Sequence, residues 1–480
     1  MISRTVPVAP RRAASATGAQ RRESRQPKRR EGNPEKRQRR DAGEAPAARR
    51  GATGTVLLIM DNLTHTLIGV IAGESVAQGT RPEGRTRTHG LPPGVRRGLF
   101  VVLAAVGGNL PDLDLLYSYR GVPHDTQAKL GYVLEHRGYT HTLLGCLLLA
   151  LALYAVAEWW LRRRHLIPTT RDRLELAGMS LLGTFLHLGM DFLNSYGVHP
   201  FWPVANSWHY GDSVFIVEPL YWAAAAPLAF AAGSWGARVL VGLGVAAGVC
   251  AGILFHNLVP TLPYVGFMAL TLIMLMVGWR APARAAAITS AVAMLGVTLT
   301  FVTSGQVAAR TVASLAATDS PGARVIDQVL SPGPMNPLCW DVLLLETQGD
   351  RYIARHGVLS NAPGVLPVSK CRTLTGERTT TVLLRTVTAP ETDAVRWLGE
   401  FEMSRAQLAQ LVAGHCDAAA LMLFARAPFA AQLDQDWIVG DLRFENGRGR
   451  GMADIPIGPA AQGPCAPAAP WIAPRADLLQ

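Results

Sequence analysis

Residues 136–164 read HRGYTHTLLGCLLLALALYAVAEWWLRRR. Between Thr142 and Leu161 one charged side chain, Glu158, interrupts a run of apolar and small residues. About twenty such residues suffice for a helix to cross the roughly 30 Å of hydrocarbon in a bilayer. Two histidines and an arginine stand at one end, and Arg162, Arg163 and Arg164 at the other. Cytoplasmic loops collect Lys and Arg, so the three arginines face the cytoplasm and His136 and His141 the outer side.

The same pattern recurs along the chain. Apolar segments of spanning length fall at about 62–79, 99–117, 141–161, 175–194, 219–233, 238–256, 261–279 and 285–303. Arg81, Arg85, Arg87, Arg96 and Arg97 follow the first, Arg171 and Arg173 join the cluster after the third, and Arg280 and Arg284 separate the last two. If every segment crosses, all these loops are cytoplasmic. The loops at 118–140 and 195–218, and everything after Ser304, then lie outside. Past Ser304 the character changes: period-two alternation at Trp340–Glu346, Thr379–Val387 and Trp437–Phe444 reads as strands, and 403–413 reads as helix. The expected fold is mainly α, a polytopic transmembrane helical bundle over 60–304 with a small α+β soluble domain, 305–480, outside the membrane.

Hydrophobic residues make up 49% of the 480 and charged residues 17%, a poor balance for an ordinary soluble surface. The net charge of +11 comes almost wholly from residues 1–50, which hold fifteen Lys/Arg against five Asp/Glu. With hardly any large apolar residues, 1–59 reads as a disordered basic tail. It conflicts with the positive-inside rule, because it precedes a segment whose start is placed outside. Either the mature protein lacks it and begins at Met60, or the first segment is re-entrant. Nucleic-acid binding through this tail has only its charge in favour and is not the expected role. Of six cysteines, Cys339, Cys371, Cys416 and Cys465 lie in the C-terminal part; they pair if that part is extracytoplasmic, or stay free.

Four polar motifs break the apolar runs: Asp61-Asn-Leu-Thr-His65-Thr, Gly108-Asn-Leu-Pro-Asp112-Leu-Asp114, His136-Arg-Gly-Tyr-Thr-His141-Thr and His187-Leu-Gly-Met-Asp191-Phe-Leu-Asn194. The orientation rests on arginines alone, yet it brings all four motifs to the outer face. His187 and Asp191, four residues apart, share one helix face, so a single helix offers an imidazole and a carboxylate to one ion. Asp112 and Asp114 follow a proline in a helix-ending turn. Histidine with aspartate suits Zn²⁺, and also Mn²⁺ or Fe²⁺. Ionisable groups this close to a membrane core are costly unless paired or ligated. The expected metal ligands are His65, Asp112, His141, His187 and Asp191. Asp114 and His136 are the acid–base candidates and Arg137 the anion-stabilising one. Asn194, His199 and Asp212 are candidates for substrate contact or for supporting the ligands.

Together these motifs, with Asn194-Ser-Tyr-Gly197 and His199-Pro-Phe-Trp-Pro203, resemble the YdjM/YfhP-type inner-membrane proteins, described as membrane-bound metal-dependent hydrolases. The resemblance covers about residues 60–220; the basic tail and the C-terminal domain depart from it. It implies a bacterial inner membrane location and hydrolysis at a metal-supported site, and a weaker likeness to zinc-dependent phospholipase C suggests a phosphoester or lipid substrate. Two rivals are ion or proton transport through the same residues and a non-enzymatic membrane scaffold.

Overall fold

The computed structural model describes residues 47–80, 90–118, 126–254, 259–319, 322–372, 384–385, 387, 392–433, 436–445, 451–458, 460–461 and 463–480, with side chains from 61 onward. Most of the basic tail, Arg81, Arg85 and Arg87 lie outside these residues.

The bundle begins with α1 (Ala47–Gly79) and α2 (Pro93–Gly107). Gly69 and Gly73 lie one turn apart on α1 and face α2 directly: a Cβ at either would come within 2.5 or 2.6 Å of the Ala105 or Val101 backbone. Small residues at four-residue spacing are how helices approach closely where no hydrophobic effect drives them together. After α2 the chain bends by 45° into a 3₁₀ turn, Pro111–Asp114, and a short helix α3 (Leu115–Ser118). Helix α4 (Thr126–Glu135) precedes a second 3₁₀ turn, Tyr139–His141. Thr142 then caps α5 (Leu143–Arg163) by accepting from the Gly145 N–H at 2.8 Å. A capping box of Thr169 and Asp172 starts α6 (Thr170–Phe192), and Asp172 also accepts from the Leu91 N–H, tying that end of α6 to the chain just before α2.

The apolar run 219–233 does not form the expected crossing helix. It breaks into α7 (Pro219–Ala225) and α8 (Leu228–Ala231) around Pro227, which cannot donate to a helical ladder. Both pieces are too short to span and pack inside the bundle, with Tyr221 and Trp222 fully buried. Helices α9 (Trp235–Leu254), α10 (Thr261–Arg280) and α11 (Ala283–Asp319) complete it.

Among the described residues four helices are long and apolar enough to cross a membrane, those at 143–163, 235–253, 261–280 and 283–319; the bent pair around Pro111 makes a fifth if it counts as one span. This corrects the expected eight. Helices α1 and α6 have the length but carry the polar groups described below, which lower their mean hydropathy. Leu148, Leu151 and Trp159 on α5, Leu272 and Ile273 on α10, and Val292 and Leu295 on α11 are all more than half exposed, an apolar surface of the kind that lipid covers.

Helix α11 has 37 residues, about 55 Å of helix, and so outruns the bilayer. It passes through Ser304 unbroken, and Ala308, Val312 and Ala316 near its end pack against Trp340, Val342 and Leu344. There the chain forms an antiparallel meander, β1 (Arg324–Gly333), β2 (Asn336–Gln348), β3 (Arg351–Ser360) and β4 (Val395–Ser404). Helices α12 (Arg405–Gly414) and α13 (Cys416–Met422) follow, then a three-stranded sheet of β5 (Pro428–Leu433), β6 (Asp436–Asp441) and β7 (Ile455–Pro456). The alternating stretch 340–346 lies within β2, and the segment from Trp437 begins inside β6, which ends at Asp441. Of 379–387 only 384, 385 and 387 are described, and Arg385 bridges Glu400 of β4. Cys339 is joined to Cys371 and Cys416 to Cys465.

Candidate metal centre

Four separate stretches of chain meet inside the bundle: the middle of α1, the Pro111–Asp114 turn, the His136–His141 turn and the last turns of α6. They bring together Asp112, His141, His187 and Asp191, each offering one donor atom, all four within 4.8 Å of one another. His187 Nε2 and His141 Nε2 stand 3.0 Å apart. Asp191 Oδ2 is 3.1 Å from the His141 nitrogen and 3.4 Å from that of His187. Asp112 Oδ1 is 3.4 and 3.5 Å from the same two atoms. A four-coordinate ion with N and O ligands at about 2.0–2.2 Å has ligand–ligand edges of about 3.3–3.6 Å, close to these separations.

The outer nitrogens have partners that leave both Nε2 atoms able to present lone pairs. His187 Nδ1 lies 2.8 Å from the Gly108 carbonyl, which can only accept, so the proton sits on Nδ1. That carbonyl is free because α2 has just ended. His141 Nδ1 faces Asp114 Oδ2 at 3.1 Å and Thr140 Oγ1 at 3.0 Å. Thr140 in turn donates to Asp114 at 2.9 Å. Two lone pairs facing at 3.0 Å repel unless a cation or a proton lies between them.

Asp114 is fully buried and already satisfied. Besides Thr140 and His141 it accepts from the Arg137 N–H at 2.9 Å and faces His136 Nδ1 at 2.9 Å. It stands behind His141, in position to orient that ring. Arg137 has a left-handed backbone, φ 60°, that aims its N–H at Asp114. Its guanidinium donates to Asn194 Oδ1 at 2.8 Å, pairs with Asp191 Oδ1 at 3.0 Å and lies over the Tyr196 ring. Its guanidinium thus faces the protein's own carboxylates, Asp191 and Asp61. Asn194 is thereby the anchor of Arg137, and it also accepts from the Tyr196 N–H.

His65 joins from α1, 3.3 Å from Asp191 Oδ1 and 3.5 Å from Asp61 Oδ1. Asp61, His65 and Asp191 form a second group able to hold a metal ion, and Asp112, Asp114 and His136 a third. Asp61 was not among the expected site residues, although its spacing to His65 repeats that of His187 and Asp191. Thr140 and the Gly108 carbonyl were also missed; no residue-type pattern marks a backbone acceptor.

Two expected residues lie elsewhere. His199 is stacked between Trp208 and Trp471, ring centroids 3.8 Å from each, and burial pushes its imidazole down to about 3, so it is neutral. It is a packing residue that faces the Arg137 carbonyl. Asp212 takes a bidentate pair from Arg426 at 2.9 and 2.8 Å and so fastens the 195–218 loop to the C-terminal region.

A cavity of 10 Å³, room for about one water molecule, reaches Asp61, His65, Asp191, Asn194 and Glu218. Against Asp61, Asp112, Asp114 and Asp191 stands the single guanidinium of Arg137, among the described residues of the cluster. So many buried carboxylates are stable only with added positive charge, from protons or from a cation.

Fold and site together define a helical membrane protein with an interior His/Asp cluster able to hold a metal ion. Residues 60–307, more than half of the chain, match the family model described as YdjM inner membrane protein, and the chain belongs to that family. No curated protein and no solved structure matches it.

Proposed function

We propose that this protein is a membrane-bound hydrolase that works with a divalent metal ion held by Asp112, His141, His187 and Asp191. The observation that carries the reading is the convergence of two Nε2 atoms and two carboxylate oxygens at near tetrahedral-edge separations, with each Nδ1 facing an oxygen outside the group. Two imidazoles with two carboxylates suit Zn²⁺ best, Mn²⁺ and Fe²⁺ next. When bound, such an ion polarises a scissile carbonyl or phosphoryl group and makes water a better nucleophile. The chain's own residues orient and balance. Asp114 and the Gly108 carbonyl fix the two imidazoles, and Arg137, fixed by Asn194, offsets part of the carboxylate charge. With Asp114 saturated, His136 is the residue left to exchange a proton: its Nδ1 is held by Asp114, and its other nitrogen serves the transfer.

The arginines that follow α5 favour an outer-face site, and the two disulfides, with the Arg426–Asp212 pair that fastens the C-terminal region to the loop at that end, favour an extracytoplasmic, soluble region from 305 on. The paired bent helix and the lipid-facing helices favour a phosphoester or lipid-type substrate reached from the membrane. Transport is less well supported, because α9, α10 and α11 bring no ionisable side chain into the cluster.

Two measurements on the purified full chain test this. Mass spectrometry should find about one tightly held divalent ion per chain, lost in His187→Ala with Asp191→Ala. A panel of phosphoesters and phospholipids should then reveal turnover that the same substitutions abolish. Stoichiometric metal without turnover of any ester would leave a metal-binding scaffold and overturn the hydrolase reading.

A further inference from the structure

We propose that the centre has a second, weaker cation position formed by Asp61, His65 and Asp191, with Asp191 bridging the two ions, and that an anionic substrate group completes it. The inference rests on reading Asp112, His141, His187 and Asp191 as a cation site.

Asp191 divides its two oxygens between two groups. Oδ2 faces His141 and His187, whereas Oδ1 faces His65 at 3.3 Å. Asp61 Oδ1 approaches the same His65 nitrogen at 3.5 Å. These three donor atoms again converge within 4.8 Å. His65 supplies an independent sign of a missing ligand. It is 97% buried, from a relative exposure of 3%, and neither ring nitrogen has a hydrogen-bond partner. An imidazole without hydrogen bonds in such a place is costly. A cation between His65 Nε2 and the two carboxylates would give that nitrogen a partner and lower the cost. The small cavity opens on this group, and none of Asp112, His141 or His187 lines it. The second position is therefore the one with space beside it for a further ligand atom.

Arg137 sets the order of affinity. Its terminal nitrogen lies 3.0 Å from Asp191 Oδ1 and 3.7 Å from Asp61 Oδ2, so a cation here is bound beside a fixed positive charge. One divalent ion leaves the four aspartates and Arg137 with an excess of one negative charge; a second reverses the sign. An anionic oxygen of the substrate, such as a phosphoryl oxygen, would restore balance. Pairs of ions about 3.5–4 Å apart hold the attacking and leaving oxygens of phosphoester displacements, so the substrate class this arrangement favours is a phosphoester.

The test is a titration of the metal-free full chain in detergent with Mn²⁺ alone, read by equilibrium dialysis and electron paramagnetic resonance. Two ions per chain are expected, the second at least tenfold weaker, with a spin-coupled signal at full loading. Inorganic phosphate should tighten the second ion several-fold and leave the first unchanged. His65→Ala and Asp61→Asn should each keep the first ion, which certifies the fold, and lose the second together with the coupling. One ion at saturation in the unaltered chain, two ions retained in both variants, or both ions lost in both variants would each overturn the proposal. No Mn²⁺ bound at all would overturn the underlying metal reading as well.

Discussion

At the scale of single residues the cluster depends on a few hydrogen bonds made by the ring nitrogens that face away from it. Asp114 holds His141 as the Gly108 carbonyl holds His187. Loss of such a partner typically weakens metal binding about 10–100-fold. Asp114→Asn should therefore lower metal affinity within that range while Asp112→Ala lowers it further, as competition with a chelator would show. Equal losses would make Asp114 a direct ligand. Outside the bundle, Asp454 is buried and its carboxyl is pushed up to about 7, chiefly by that burial, with the Gly451 N–H pulling the other way. The folded chain then holds a proton that the unfolded chain releases near 4, so stability falls as pH rises from about 4 to 7 and stays low above. Asp454→Asn should flatten that slope in thermal melts taken between pH 4.5 and 8; an unchanged slope would show that Asp454 is not its source. At this scale the residues of the cluster were legible in the chain itself, because His and Asp four apart inside an apolar helix have few other uses. The work of Arg137 was not, since its partners Asp191, near the end of α6, and Asn194, just beyond it, lie more than fifty residues away in the chain and only folding brings them near.

At the scale of elements, the site depends on how closely α1 approaches α2, since α1 carries Asp61 and His65 and the end of α2 carries the Gly108 carbonyl. Gly73→Val would put side-chain atoms into the Val101 backbone. It should lower thermal stability by about 1–3 kcal/mol, the usual cost of overpacking, and weaken metal retention with it. A variant that is destabilised but holds metal normally would separate the site from this contact. A second joint is Arg426, buried between Asp212 of the 195–218 loop and Asp327 of β1. Arg426→Met would leave two half-buried carboxylates without their main partner, with an expected loss of about 1–3 kcal/mol and greater protease sensitivity of the C-terminal region. Native-like digestion would place the hold elsewhere, for example in Arg443, which donates to the Ser195 and Tyr196 carbonyls. Hydropathy identified the helices at 143–163, 261–280 and 283–319 well, because lipid-facing helices need little beyond an apolar surface. It failed at 219–233, where the same composition is buried inside protein and prolines break the helix. It also missed the continuation of α11 past Ser304, whose small and apolar residues there pack on a sheet rather than on lipid.

For the whole molecule, helices α5, α9, α10 and α11 show apolar surface outward, while α1 and α6 place their polar residues inward. A bundle built in this way can keep a charged centre only if the charges balance, through protons or through a cation. An ion present at about 100 times its Kd stabilises the folded state by about 2.7 kcal/mol. Removal by a chelator should accordingly lower the melting temperature of the full chain by several degrees, reversibly on adding Zn²⁺. No shift in a chain known to have lost its metal would mean that protons balance the carboxylates instead.

The central claim is that two imidazoles and two carboxylates share one divalent ion. X-ray absorption at the metal edge of the loaded full chain tests it most directly. The account expects a first shell of nitrogen and oxygen only, at about 2.0–2.1 Å for Zn²⁺, with outer-shell scattering from two imidazoles that falls by half in His187→Ala. A sulfur shell near 2.3 Å, or a spectrum without imidazole scattering, would contradict it.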